Sequence, residues 1–199
     1  MYIHSPLIYQ VMSVLEYIVL SLALTIPTLV MVCDGARRES IRLTRGLGVS
    51  FVVAMEHVLF LLMGLLLGNF LSASGTAEYN DMVYLGIMVL VAVWMLFPLF
   101  RRRSQEMPSY DLSRWVAVLF LGVASGMRGL MVGLALGFKW PFESELWKAA
   151  IPLFLLMSAG CYLGIMLGRR KKSFHARRWQ LIAVLFLLVF AFKGAFWGD

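Results

Sequence analysis

Charge is scarce in this 199-residue sequence. Only 15% of its residues are Asp, Glu, Lys or Arg, against roughly a quarter in an ordinary soluble domain. Cysteine is scarcer still: Cys33 and Cys161 are the two present, and they form no metal-binding or redox spacing. They read as two small apolar residues in helices. Histidine numbers three and acidic residues 11. These make no carboxylate-rich cage for a hard cation and no Cys/His cluster for a soft one. No nucleophile–base pair is visible either, so an enzyme is not expected and no cofactor is implied. The opening MYIHSPLIYQ lacks the basic n-region of a cleaved signal peptide. The first apolar run is therefore expected to be a retained span.

What the chain has is apolar surface. Hydrophobic residues make up 61% of it, and the mean hydropathy is +0.82. No soluble fold of this size could hide that much, so the solvent must be lipid. A spanning helix needs about 20 mostly apolar residues. Spans are expected at about 11–33, 47–70, 82–100, 115–138, 147–168 and 179–197, with ends uncertain by a few residues. A closed barrel would need strands that alternate polar and apolar. Runs such as VLFLLMGLLLG and QLIAVLFLLVF do not alternate. The expectation is an all-α integral membrane protein, a single transmembrane domain over 1–199.

The net charge of +7 sets topology rather than recruiting nucleic acid. Basic residues crowd the first loop (Arg37, Arg38, Arg42, Arg45), the third (Arg101, Arg102, Arg103, Arg114) and the fifth (Arg169, Arg170, Lys171, Lys172, Arg177, Arg178). The second loop, SASGTAEYND, has none, and the fourth has Lys139 and Lys148. The positive-inside rule places the three basic loops in the cytoplasm and both termini outside. The expected location is a cell (inner) membrane. Trp115, Trp140, Trp147, Trp179 and Trp197 lie near predicted span ends, as interfacial anchors do.

The two halves resemble each other. MGLLLG (Met63 to Gly68) recurs as LGIMLG (Leu163 to Gly168), and LTIPTLVMV (Leu24 to Val32) lines up with SGMRGLMVG (Ser125 to Gly133). The near-constant offset of about one hundred residues suggests two three-helix repeats, about 11–100 and 115–197. Three crossings per unit would insert the second upside down, the inverted-repeat design of many secondary transporters. The glycine pairs Gly64/Gly68, Gly122/Gly126, Gly129/Gly133 and Gly164/Gly168 make small-xxx-small ridges for close helix packing.

Charges at bilayer depth are costly and functional suspects by default. Arg128 and Glu56 lie near the middle of spans four and two, and a buried pair between them is the leading expectation. It reads as a structural tie between the repeats, or as a gate or proton-linked site. His57 is a weak candidate for a metal ligand or proton carrier, with Glu56 beside it. Adjacent helical residues diverge by about 100°, so the two cannot both face one site. Glu16 and Lys193 lie in the outer leaflet, where each can snorkel alone. Asp81 reads as a solvated helix-start residue. Pro27 interrupts span one and corresponds to Arg128 in the repeat, which marks that place for a passage.

These segments resemble the MntP-type manganese efflux pump family over nearly the full chain. LALTIPTLVMVCDGAR resembles its first span and loop, AMEHVLFLLMGLLLG its second span, and VASGMRGLMVGLALGF its fourth-span motif. The resemblance implies six spans, outward termini, inverted repeats and export of a divalent cation such as manganese. The chain departs at informative positions. Members carry aspartates where this chain has about Pro27 and Arg128, and an acidic or amide residue near His57. Arg128 would then favour an anion or neutral solute, or act as a counter-charge for Glu56. A degenerate, non-transporting scaffold or partner subunit is the alternative. Beyond the bilayer and a small solute, a homo-oligomer remains open.

Overall fold

A computed structural model describes residues 6–38, 42–73, 75–100, 111–140, 142–170 and 176–196. Among these there is no strand. The elements are α1 (Pro6–Arg38), α2 (Leu43–Ser72), α3 (Ala77–Phe100), α4 (Trp115–Lys139), α5 (Phe142–Arg169) and α6 (Ala176–Phe196). Lipid offers no hydrogen bonds, so backbone groups must be satisfied within each segment. The sequence supplies long runs of Leu, Ala and Met, which lose little freedom in a helix. Five helices are long and apolar enough to cross a bilayer. α6 is not among them; its described side chains run from Arg178 to Lys193.

The helices overrun the expected spans. α1 has 33 residues and extends to roughly 50 Å at 1.5 Å per residue, beyond the ~30 Å hydrocarbon layer. Helical geometry does not stop where the lipid stops. Trp197, Arg101 to Arg103, Lys171 and Lys172, and the chain ends lie outside the described residues.

Two helix pairs dominate the packing, α2 with α4 and α1 with α5; α2 also meets α5, α3 meets α4 and α6, and α1 meets α6. Glycine makes the close approaches possible. A Cβ on Gly64 would strike the backbone carbonyl of Leu130, and one on Gly68 that of Leu134. The contacts climb both helices in the same order, so α2 and α4 run parallel. In the other pair, a Cβ on Gly164 would lie 2.9 Å from the Leu29 carbonyl oxygen, and one on Gly168 would strike that of Cys33. Here too the helices are parallel. Without side chains at these points, backbones meet directly, which is how lipid-embedded helices gain van der Waals contact.

Apart from Arg128, the described arginines collect at one end of the bundle, formed by the close of α1 and α5 and the start of α2, α4 and α6. There Asp111 opens α4. Its Oδ1 accepts from the backbone N–H of Ser113 at 2.9 Å, and its Oδ2 lies 3.2 Å from Arg114 Nε. Arg45 of α2 donates to the Ser113 carbonyl and stacks over Trp115 at 5.3 Å. Asp81, Lys139 and Lys193 are at the opposite end, with Glu16 in the early part of α1.

Candidate functional site

Most buried polar residues among those described lie on α1, α2 and α4, with Gln180 on α6. His57 of α2 is 1% exposed, and Thr28 of α1 is fully buried. His57 Nδ1 lies 2.9 Å from the carbonyl oxygen of Val53. A carbonyl only accepts, so Nδ1 carries the proton and Nε2 presents its lone pair. That lone pair faces the Thr28 hydroxyl at 3.3 Å, which donates to it. The same hydroxyl is 3.5 Å from the Leu24 carbonyl, the weaker of its two options. The imidazole is thus held in one orientation by its own helix and by α1.

Arg128 enters from α4. Its Nη2 lies 3.6 Å from the sulfur of Met31 on α1. Pro27 is buried, and α1 continues through it. Other buried hydroxyls are turned back onto their own helices: Thr25 to the Ser21 carbonyl at 2.7 Å, Ser50 to that of Gly46 at 2.8 Å, and Ser125 to that of Leu121 at 2.6 Å.

Glu56 does not join this group, and the expected Glu56–Arg128 pair is not formed. Glu56 packs against Gly122 of α4, where a Cβ would collide with its carboxylate, and its Oε2 is buried without a hydrogen-bond partner. Direction explains the miss. Gly129, next to Arg128, approaches the His57 carbonyl at 3.4 Å by its would-be Cβ, so Glu56 and Arg128 are close in depth. Arg128 points to α1, whereas Glu56 points to Gly122 of α4. Span-by-span hydropathy supplies rough depth but no direction around the helix.

The remaining candidates are drawn into pairs away from the centre. Lys193 Nζ lies 2.7 Å from Glu16 Oε1, so those two do not snorkel separately. Lys139 Nζ lies 2.9 Å from Asp81 Oδ1, so Asp81 bridges α3 to α4 instead of facing water alone. Sequence reasoning missed Thr28, Met31, Lys139 and Tyr84. A lone threonine or methionine in a membrane helix carries no signal of its own. Lys139, one of two basic residues in the fourth loop, did carry one.

As a metal site the centre is thin. One imidazole nitrogen and one hydroxyl face each other, and among the described residues no group of three or more His, Cys, Asp or Glu converges.

A family model described as "Putative manganese efflux pump" matches residues 40–194. The chain belongs to the manganese efflux pump family. Two proteins of Dehalococcoides mccartyi, from strains BAV1 and CBDB1, are each described as "Putative manganese efflux pump MntP". Each is 30% identical over 115 residues, which is 57% of this chain and 58% of the relative. The chain therefore spans under two thirds of the length of these curated relatives. No solved structure matches. The family match takes in α2 through most of α6 and begins after α1, so Glu16, Pro27 and Thr28 fall outside it, while Glu56, His57, Asp81 and Arg128 fall inside.

Proposed function

We propose that this protein is a six-span membrane transporter built as two inverted repeats, exporting a small ion or solute by alternating access. A contact that occurs twice carries the reading. Gly64 meets the Leu130 carbonyl as Gly164 meets that of Leu29; Gly68 meets that of Leu134 as Gly168 meets that of Cys33. These are the same positions that the two halves of the sequence align. A pseudo-two-fold axis in the membrane plane would exchange α1 with α4, α2 with α5 and α3 with α6. It would turn the α2–α4 pair into α5–α1 and the α3–α4 contact into α6–α1, and all four contacts occur. Sites in such transporters lie at the midplane between repeats, and the proposed site there is His57, Thr28 and Arg128. α6 is the sixth span, both termini face outward, and the membrane is the cell (inner) membrane.

Family membership supplies manganese as the expected substrate. The centre argues for weak handling of it. The Arg128 guanidinium is permanently positive, and Glu56 faces the other way. A second reading, a non-transporting scaffold, draws on those same two side chains. The test is expression in a manganese-sensitive strain lacking its exporter, with cellular manganese measured. We expect incomplete restoration of growth on excess manganese. Full rescue with normal cellular manganese would show that Arg128 does not weaken the site.

A further inference from the structure

We infer that the end of the bundle bearing Glu16, Asp81, Lys139 and Lys193 is a closed gate, shutting a passage that follows one face of α1 down to His57. The inference rests on the transport reading above. Four helices are tied in sequence at this end. Lys193 of α6 holds Glu16 of α1 at 2.7 Å. Tyr84 of α3, fully buried, donates its hydroxyl to the Phe190 carbonyl of α6 at 3.5 Å. Asp81 of α3 holds Lys139 of α4 at 2.9 Å. Tyr84 also fills the space between the two ion pairs. Trp140 meets its ring edge-to-face at 5.7 Å, and Lys139 Nζ stands 5.8 Å from the centres of both rings.

Inward of this closure, the buried face of α1 is hydroxylic. Ser21, Thr25 and Thr28 are all buried. At spacings of four and three they share one side of the helix. The last of them meets His57. Thr25 returns its hydrogen bond to its own helix and packs its methyl on Gly160 of α5; along α1 it stands between the ion pairs and the central imidazole. At the opposite end, the Asp34–Arg37 and Asp111–Arg114 pairs each join residues three apart in the chain, and Arg45 of α2 reaches the Ser113 carbonyl and the Trp115 ring at the start of α4. Charge pairs between helices suit a gate because they form and break as discrete contacts, giving two arrangements instead of a continuum.

A single cysteine replacing Ser21 tests this, in a chain carrying Cys33→Ser and Cys161→Ser. Its rate of modification by a charged, membrane-impermeant methanethiosulfonate is measured in right-side-out and inside-out vesicles. With the pairs intact the cysteine should react slowly from both sides. Asp81→Lys, or Glu16→Lys, should speed the reaction about tenfold or more from the side facing this end alone, as a minor open state rises from the order of 1% to 10%. The swaps Asp81→Lys with Lys139→Asp, and Glu16→Lys with Lys193→Glu, should restore the slow rate. If a reversal variant fails to fold by size exclusion, Asp81→Asn and Lys193→Gln take its place, with the same direction expected. Unchanged labelling in every folded variant, acceleration that the swaps do not reverse, or fast labelling of the intact protein from this end would each overturn the gate. Manganese flux in the same vesicles is read separately. Flux with unresponsive labelling removes the gate and leaves transport standing; responsive labelling without flux keeps the gate and removes manganese as the cargo.

Discussion

One substitution, glycine to alanine, should have opposite effects at two places in this bundle. At Gly86 of α3 an added Cβ meets nothing within 4 Å, and the residue faces lipid. There alanine only removes glycine's backbone freedom, which favours the helix by up to about 1 kcal/mol. At Gly64 the Cβ would collide with the Leu130 carbonyl oxygen and lie 2.8 Å from the Leu134 nitrogen and 2.9 Å from the Leu130 carbonyl carbon. All three are backbone atoms, and none can rotate away. α2 and α4 must then move apart, and the contacts around Gly68 go with them. Overpacking of this kind costs about 1–3 kcal/mol. Set against the propensity gain, it leaves a net loss of up to about 2 kcal/mol. For a chain of this size that is a fall in Tm of up to about 8 °C, while Gly86→Ala should raise it by up to about 4 °C. Gly164→Ala, whose Cβ would stand 2.9 Å from the Leu29 carbonyl oxygen with Cys33 N at 3.6 Å, should fall between them. The assay is thermal unfolding of the purified protein in one detergent, followed by size exclusion. A Gly64→Ala protein as stable as Gly86→Ala would refute the close parallel packing of α2 on α4.

Further outcomes follow from the site. Because Glu56 and Arg128 face different helices, Glu56→Gln and Arg128→Met should be additive in thermal stability within about 0.3–0.5 kcal/mol; a double variant much more stable than the sum would show that they touch. Thr28→Val should cost about 1–3 kcal/mol by leaving His57 Nε2 without its donor, and Thr28→Ser should recover most of it; equal stability for the two would remove the Thr28–His57 bond. Reporter fusions after Asp199 and after Arg103 should read as extracytoplasmic and cytoplasmic respectively, and a cytoplasmic C-terminus would overturn the six-span count.

The helices were legible in the sequence because lipid leaves so few alternatives. A run such as MGLLLGNFL can only be helical there. Their ends were less so: hydropathy closes the first span at about 33 and opens the fifth at about 147, whereas α1 runs on to Arg38 and α5 starts at Phe142, because a helix need not end where its apolar run ends. The glycine ridges could be read as packing surfaces, and Gly64, Gly68, Gly164 and Gly168 do meet backbone. Their partners could not be read, because periodicity gives a face but not the helix it meets. The same gap explains Glu56. Its depth resembles that of Arg128, but which way each side chain points is set by how α2, α4 and α1 surround it. Divergence between adjacent residues was foreseeable, and it holds: His57 turns to Thr28 while Glu56 turns to Gly122. The pairing of Asp81 with Lys139 needed the meeting of the start of α3 with the end of α4, a tertiary fact.

The proposed repeat sharpens what is unusual about the centre. At the offsets that align the glycines, Thr28 corresponds to Gly129, His57 to Met157 and Pro27 to Arg128. Met157 is fully buried, and Gly129 approaches the His57 carbonyl at 3.4 Å by its would-be Cβ. On the proposed repeat, the second half keeps the framework with the hydrogen-bonding pair removed. Neutral donors and a lone pair lie on the α1–α2 side, and one fixed positive charge comes from α4. A site built for a divalent cation would gain from acids on both sides of the axis, because each further carboxylate offsets more of the ion's lost hydration. Among the described residues no acid on the α1–α2 side turns to His57, since Glu56 packs on Gly122, and the other side offers an arginine. The His57 lone pair already has its donor in Thr28. On the proposed transport reading, the fixed charge of Arg128 suits a small solute with acceptor atoms better than a bare metal ion.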